Sequence, residues 1–441
     1  MKKLSTLALA GMLATGASSL ALVAPAVAQK KEEAAKGPTF KLSKPVQAIA
    51  NKAQTAIQAN DFATAEPLVA QIETAATTDD DKYIAAAMRF DLVNHKLAAA
   101  STANPNAPVD QRALAAPLDA LIAAKNTPAA DRGRFLFKRG QLASIGGQSA
   151  VAADYFARAK AAGYSDPELN LQIAQSKIQG GDVTGGLTDL DAEITRREAA
   201  GQKAPDAYYR YAISQANQKK MGPETLAWLK KYAAAYPNAK TWYGVVMTYG
   251  IQQASVIKPT RTQQIDLFRL MRASGALTDQ ALYAEYAQRL YDSGNPYEAQ
   301  TVLKEGLANG KIPAGNAYAK GLLADAATSI RNEGSLATSE KQATAAATGD
   351  LSAQTGDAYL GQANYAKAIA LYRAALAKPA GKVTKDDINT HLGIALALSG
   401  DKAGAAAAFG AVTSPTSAGV ASLWSTYVQA GSGPAPAAAA S

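Results

Sequence analysis

The stretch Gly349–Pro379 reads GDLSAQTGDAYLGQANYAKAIALYRAALAKP. Gly356 and Tyr359 stand three residues apart, and Ala368, Tyr372 and Ala375 follow at spacings of four and three before Pro379. Residues three or four apart share a helix face. The segment therefore predicts two short helices, each with small and aromatic residues on one side, the second ended by proline.

This combination resembles one unit of a tetratricopeptide repeat. It departs from that family's pattern in two places: the first helix lacks the usual tryptophan, and the proline comes one position early. The resemblance implies helix pairs stacked into a right-handed, all-α solenoid with a concave groove for peptides.

The small residue held by Gly356 can be traced through the chain as Ala53, Ala87, Gly140, Ala174, Ala212, Gly244, Ala287, Gly321, Gly356 and Gly393. Successive intervals are 34, 53, 34, 38, 32, 43, 34, 35 and 37 residues, clustering at the tetratricopeptide length. About ten antiparallel helix pairs are expected. The long intervals contain STANPNAPV at Ser101–Val109 and SVIKPTRT at Ser255–Thr262, read as extended loops within pairs. Second-helix signatures recur as Ala65/Val69/Ile72, Ala152/Phe156/Ala159, Ala299/Leu303/Gly306 and Ala405/Phe409/Val412. The units at Ala87, Gly244 and Gly321 match the signature poorly and are placed mainly by spacing. Asn60-Asp61, Gly146-Gly147, Gly180-Gly181-Asp182, Gly294-Asn295-Pro296 and Gly400-Asp401 fall between paired helices, where a sharp reversal favours residues tolerant of positive φ.

The ends read differently. Lys2 and Lys3, the apolar run Leu4–Val23 and the small-residue site Ala26-Val27-Ala28 make residues 1–28 a Sec-type signal peptide. Residues 29–44 read as a flexible leader, 45–430 as the solenoid, and 431–441, ending GSGPAPAAAAS, as a disordered tail. With no cysteine the chain lacks both disulfides and a lipoprotein anchor. A periplasmic or secreted protein is expected. Removing Lys2 and Lys3 lowers the net charge from +9 to +7, leaving 43 basic and 36 acidic residues, too mild an excess for a nucleic-acid binder.

No catalytic, cofactor or metal site is expected. The two histidines, His95 and His391, lie in distant units and read as satisfied surface or core residues. Two SxxK spacings, Ser255–Lys258 and Ser399–Lys402, lack the companion motifs of penicillin-binding enzymes. Asp79-Asp80-Asp81 reads as a helix start rather than a calcium loop. Arg132, Arg134, Lys138 and Arg139 form the densest basic cluster, which reads as a solvated face.

The resemblance also places a groove. The residue after each small marker is rotated about 100° from the pair interface, and this column contains Gln54, Gln141, Gln175 and Gln288. One turn away stand Phe137, Tyr209, Tyr291 and Tyr318, the candidate apolar anchors. Acids such as Asp81, Asp91, Asp292, Asp350, Asp357 and Asp387 outnumber bases on this face. A neutral to acidic groove for an apolar or basic extended peptide is the expectation, with no nucleic-acid ligand. A non-enzymatic scaffold in envelope assembly or export is the leading reading. The alternative is a structural protein held to anionic membrane or wall polymer by a basic outer face.

Overall fold

The computed structural model describes residues 40–431, so the predicted signal peptide, most of the leader and nearly all of the tail lie outside the described residues. Those residues form helices and loops, with no strand among them. Two compact units divide at the Ser101–Val109 insertion. Residues 101–103 of the predicted insertion continue α3, and 104–110, almost wholly exposed and carrying Pro105 and Pro108, form a loop that offers no packing surface. The sequence reading kept it inside one continuous body.

The first unit contains α1 (Lys44–Gln58), α2 (Phe62–Ala75) and α3 (Asp79–Ala103), together with residues 123–128. Asn60 takes φ 57° and Asp61 then caps α2 by accepting from the Thr64 amide. Thr78 and Asp81 form a reciprocal capping box at the start of α3. Asp81 is buried and also accepts from the Ser43 amide at 2.9 Å. Burial alone would raise its pKa, but these amides outweigh it and hold the carboxyl near 2. Asp81 is thus a staple of the fold, not a groove acid.

In the second unit a 3-10 turn, Gln111–Leu114, leads into α4 (Ala115–Ala123). Helix pairs follow as α5 (Ala129–Ile145) with α6 (Ser149–Ala161), α7 (Leu169–Gln179) with α8 (Val183–Ala199), and α9 (Asp206–Gln218) with α10 (Gly222–Ala235). Next come α11 (Ala239–Val246), which runs on as a π turn over Met247–Ile251, and α12 (Arg261–Ala273). The predicted insertion at Ser255–Thr262 supplies most of the loop between them. Two further pairs are α13 (Gln280–Asp292) with α14 (Pro296–Ala308) and α17 (Asp350–Gly361) with α18 (Tyr365–Leu376); between them α15 (Ala317–Glu333) packs on α14 and α16 (Leu336–Ala345) on α17, rather than on each other. The last pair is α19 (Lys385–Ser399) with α20 (Lys402–Gly410), and a single helix, α21 (Pro415–Ala430), ends the unit.

The marker residues work as spacers. A Cβ on Gly356 would lie 2.7 Å from the Tyr372 ring, and one on Gly140 would lie 2.6 Å from Phe156. Gly393 stands in the same relation to Phe409. Each glycine lets the second-helix aromatic ring press directly against the first helix. Ala53, Ala174, Ala212 and Ala287 are fully buried in the same role. The three markers placed mainly by spacing behave differently: Ala87 and Gly244 are half-buried and Gly321 is exposed.

Gly356→Ala is therefore expected to cost about 1–3 kcal/mol by overpacking. Gly321 has nothing within 4 Å of its Cβ position, so Gly321→Ala should gain about 0.5–1 kcal/mol of helix propensity. Denaturant midpoints of the two variants should move in opposite directions; a matching loss in both would remove the spacer role.

The turns follow the predicted chemistry: Gly147, Gly181, Gly294 and Gly400 all take positive φ. Asp182, Asn295 and Asp401 then cap the helices that follow. Ala363 adopts φ 58° at the equivalent place in the α17–α18 turn, where an L side chain is strained.

The end of this unit folds back on itself. Helix α21 packs on its chain neighbours α19 and α20 and also on α10 and α12. Residues 265–271 of α12 and 390–396 of α19 are buried without a break, so both helices are enclosed on every side.

Candidate partner-binding surface

Six of the eight predicted groove residues separate into three groups. Gln54, in the first unit, is half-buried, and its Oε1 is enclosed without a hydrogen-bond partner. Gln141 and Gln175, in the second unit, are half-buried on α5 and α7. Gln288, Tyr291 and Tyr318 lie on α13 and α15, and here the structure brings predicted residues together. The Tyr318 hydroxyl donates to Gln288 Oε1, while Gln288 Nε2 donates to Asp292 Oδ1 at 2.6 Å. Tyr318 is 49% exposed, and Tyr291 is half-buried against the core beside this patch.

Phe137 and Tyr209 are corrections to the predicted anchors. Phe137 is buried between Phe156 and Tyr164, with ring centroids 5.5 and 5.1 Å away. Tyr209 is 1% exposed, packs on Tyr232 and Trp228, and donates its hydroxyl to Glu198 at 2.9 Å. Both stand three residues before their marker, about 60° from it around the helix and nearer the pair interface than the glutamine column. Tyr318 occupies the same position in its unit. It remains outside because its marker, Gly321, is itself uncovered.

The positions that follow the markers Gly244, Gly321 and Gly393 belong to the same column and are closed. Val245 and Ile394 are fully buried, and Leu322 nearly so. Helix α21 accounts for part of this. Trp424 Nε1 donates to the Asp266 carbonyl at 3.1 Å, the Tyr427 hydroxyl to the Ala273 carbonyl at 2.8 Å, and Gln263 Nε2 to Ser417 Oγ at 2.9 Å. A Cβ on Gly419 would collide with the Tyr249 hydroxyl, so glycine permits the contact. The chain's own last helix thus covers parts of α10, α12, α19 and α20.

Beneath α21 runs a buried charge network absent from the sequence reading. Arg269 Nη1 contacts Asp266 Oδ1 at 2.8 Å, and Arg269 Nη2 contacts Glu298 Oε2 at 2.6 Å. Tyr286 donates to Glu298 at 2.5 Å. His391 Nδ1 lies 2.7 Å from Asp357 Oδ1, which also accepts from the Tyr372 hydroxyl at 2.7 Å. His391 Nε2 is 3.3 Å from Asp266 Oδ1, an ion-pair contact without good hydrogen-bond alignment. Burial pushes the imidazole toward neutrality, but Asp357 and Asp266 overcome it and raise His391 to about 10. Burial would raise Asp357, yet His391 and Arg269 leave it below the usual range. Each charge thus faces an opposite charge, so Asp357 is structural rather than a groove acid.

Asp350 is likewise occupied, accepting from the Lys382 and Val383 amides at 3.0 and 2.9 Å. Asp387 caps α19 with Thr384. The dense basic cluster is largely committed too: Arg134 pairs with Asp131 and Arg139 with Asp119, both at 2.9 Å, and Arg132 donates to the Ile122 carbonyl at 3.1 Å. Burial, then repulsion from Arg134, lowers the Lys138 pKa. This cluster gives little support to attachment through a basic outer face. Ser255 and Lys258 donate separately to the Met247 and Gln253 carbonyls, so they form no catalytic pair. Asp79, Asp80 and Asp81 occupy the first turn of α3, as expected.

Stacked helix pairs whose markers mostly recur every 32–38 residues, with small markers under second-helix aromatics, settle the architecture. The fold is an all-α stack of helix pairs that resembles tetratricopeptide repeats. No family model and no curated protein matches the chain. Among solved structures it is similar to the tetratricopeptide domain of P58(IPK), at 17% identity and a TM-score of 0.20, covering 79% of this chain and 97% of that one. It is also similar to the APC/C hetero-tetramer Cut9–Hcn1, at 11% identity and a TM-score of 0.17, covering 83% and 86%. The repeat assignment rests on the internal geometry of the helix pairs.

Proposed function

We propose that this chain is a non-enzymatic protein-interaction scaffold, exported to the periplasm, that takes an extended apolar or basic peptide on its first-helix face. The reading is carried by the Tyr318–Gln288–Asp292 patch. An exposed aromatic ring, a primary amide and a carboxylate stand together on α13 and α15, outside the packing between helices. The amide can bond an extended backbone, the ring can cover an apolar side chain, and Asp292 favours a basic one.

A phage-displayed peptide library panned on the full chain should yield ligands rich in basic and apolar residues. For one such peptide, Tyr318→Ala should weaken binding roughly 30-fold, as at a hot spot, while unfolding changes by less than about 0.5 kcal/mol. Unchanged affinity in both Tyr318→Ala and Gln288→Ala would reject this surface. For export, the protein recovered from the periplasmic fraction should begin at Gln29; a retained Met1 in the cytosolic fraction would reject that half of the reading.

A further inference from the structure

A different surface, formed by the second helices of two consecutive pairs, carries its own site. Helix α8 presents Leu187, Thr188 and Asp191, and α10 presents Glu224, Trp228 and Lys231, along a cleft of about 190 Å³. In each helix the outermost of these residues are four and seven positions apart, so each set lies on one face. Leu187 and Trp228 are 5% exposed and make an apolar floor, while Asp191 and Glu224 supply carboxylates at its edges.

A cation already sits there. The Lys231 ammonium lies 5.1 Å from the centre of the Trp228 ring and bonds to the Asp191 carboxylate. An aromatic face with a carboxylate beside it is a favourable seat for an alkylammonium or guanidinium group, whose methylene stem can lie on the apolar floor. The Asp191 and Lys231 side chains are 40% and 45% exposed, and so open a pair contributes little to stability. A competing cation can therefore replace Lys231 at small cost. Glu224 engages no hydrogen bond or ion pair among the described residues, which leaves one carboxylate in the cleft uncompensated.

We propose that the α8/α10 cleft receives one lysine or arginine side chain of a protein partner, with Lys231 as its resident surrogate. Arginine is the better guest, because its planar guanidinium stacks on the indole while bonding a carboxylate in its plane. The site is independent of the Tyr318 patch, and failure of either leaves the other standing.

The test uses the full chain and two capped tripeptides, Ala-Arg-Ala and Ala-citrulline-Ala, which differ in charge but hardly in shape. Binding is followed by tryptophan fluorescence. Trp242 and Trp424 are fully buried, so the response reports Trp228. Lys231→Ala should bind the arginine peptide about tenfold more tightly than wild type, the scale of one cation–π contact. Asp191→Asn and Glu224→Gln, each added to Lys231→Ala, should reverse that gain, and citrulline should not bind. Discrimination between the peptides should persist, more weakly, in the unaltered protein, so the outcome does not depend on a variant folding. Equal responses to both peptides, no saturation in either protein, or affinity indifferent to both carboxylates would overturn the proposal.

Discussion

Replacing Arg269 by methionine is expected to destabilise the protein by about 3–5 kcal/mol, because two carboxylates lose the cation that justifies their burial. Arg269, Asp266 and Glu298 are 5%, 1% and 2% exposed, so water cannot substitute for the guanidinium. Adding Glu298→Gln to Arg269→Met should recover a good part of the loss, since one stranded charge is then removed. Urea unfolding of the single and double variants checks this; equal losses in both would mean that packing, not charge, holds the region.

The same network sets a pH dependence. His391 has an ordinary pKa of 6.5 and is raised in the fold to about 10. A raised folded value means that protonation favours the fold. The contribution is complete below about pH 6.5 and is lost as pH rises through about 10. The stability difference between wild type and His391→Gln should therefore shrink steadily over that interval, and a difference that grows with pH would contradict the pairing with Asp357 and Asp266.

Truncating Trp424 to alanine is the second large effect, again about 3–5 kcal/mol. The side chain is fully buried, stacks on Phe409 at 6.5 Å, meets Tyr427 edge-on at 5.8 Å and donates to the Asp266 carbonyl. Because that carbonyl belongs to the residue anchoring Arg269 and His391, the loss should spread beyond α21. Amide exchange should accelerate in α10, α12 and α19 together. Acceleration confined to α21 would show that the last helix is an independent flap.

Most of the repeat frame was legible because it depends on local spacing. The Gly356–Tyr372 pair can be read from a small residue and an aromatic sixteen positions apart, and the Gly181-Asp182 turn from residue types that tolerate positive φ and then cap a helix. The weakness of the Gly321 unit showed in its missing second-helix signature, and its marker lies exposed. The binding face was less legible. Tyr209 and Tyr318 hold the same place relative to their markers, yet one is buried and the other half exposed. Which of them a neighbour covers is a property of packing several helices away.

The amino-acid order alone determined helix pairs, their approximate number, their turns and the small residues that let them approach, since each depends on contacts within one unit or between adjacent ones. Only the tertiary structure decided that the chain parts into two compact units and that α21 returns to fill the space beside α10 and α12. It alone showed that Asp266, Arg269, Glu298, Asp357 and His391 meet. Those residues come from four helices separated by up to 125 positions. No periodicity links such positions; their attraction operates only after the stack has curved enough to bring them within an ion pair's reach.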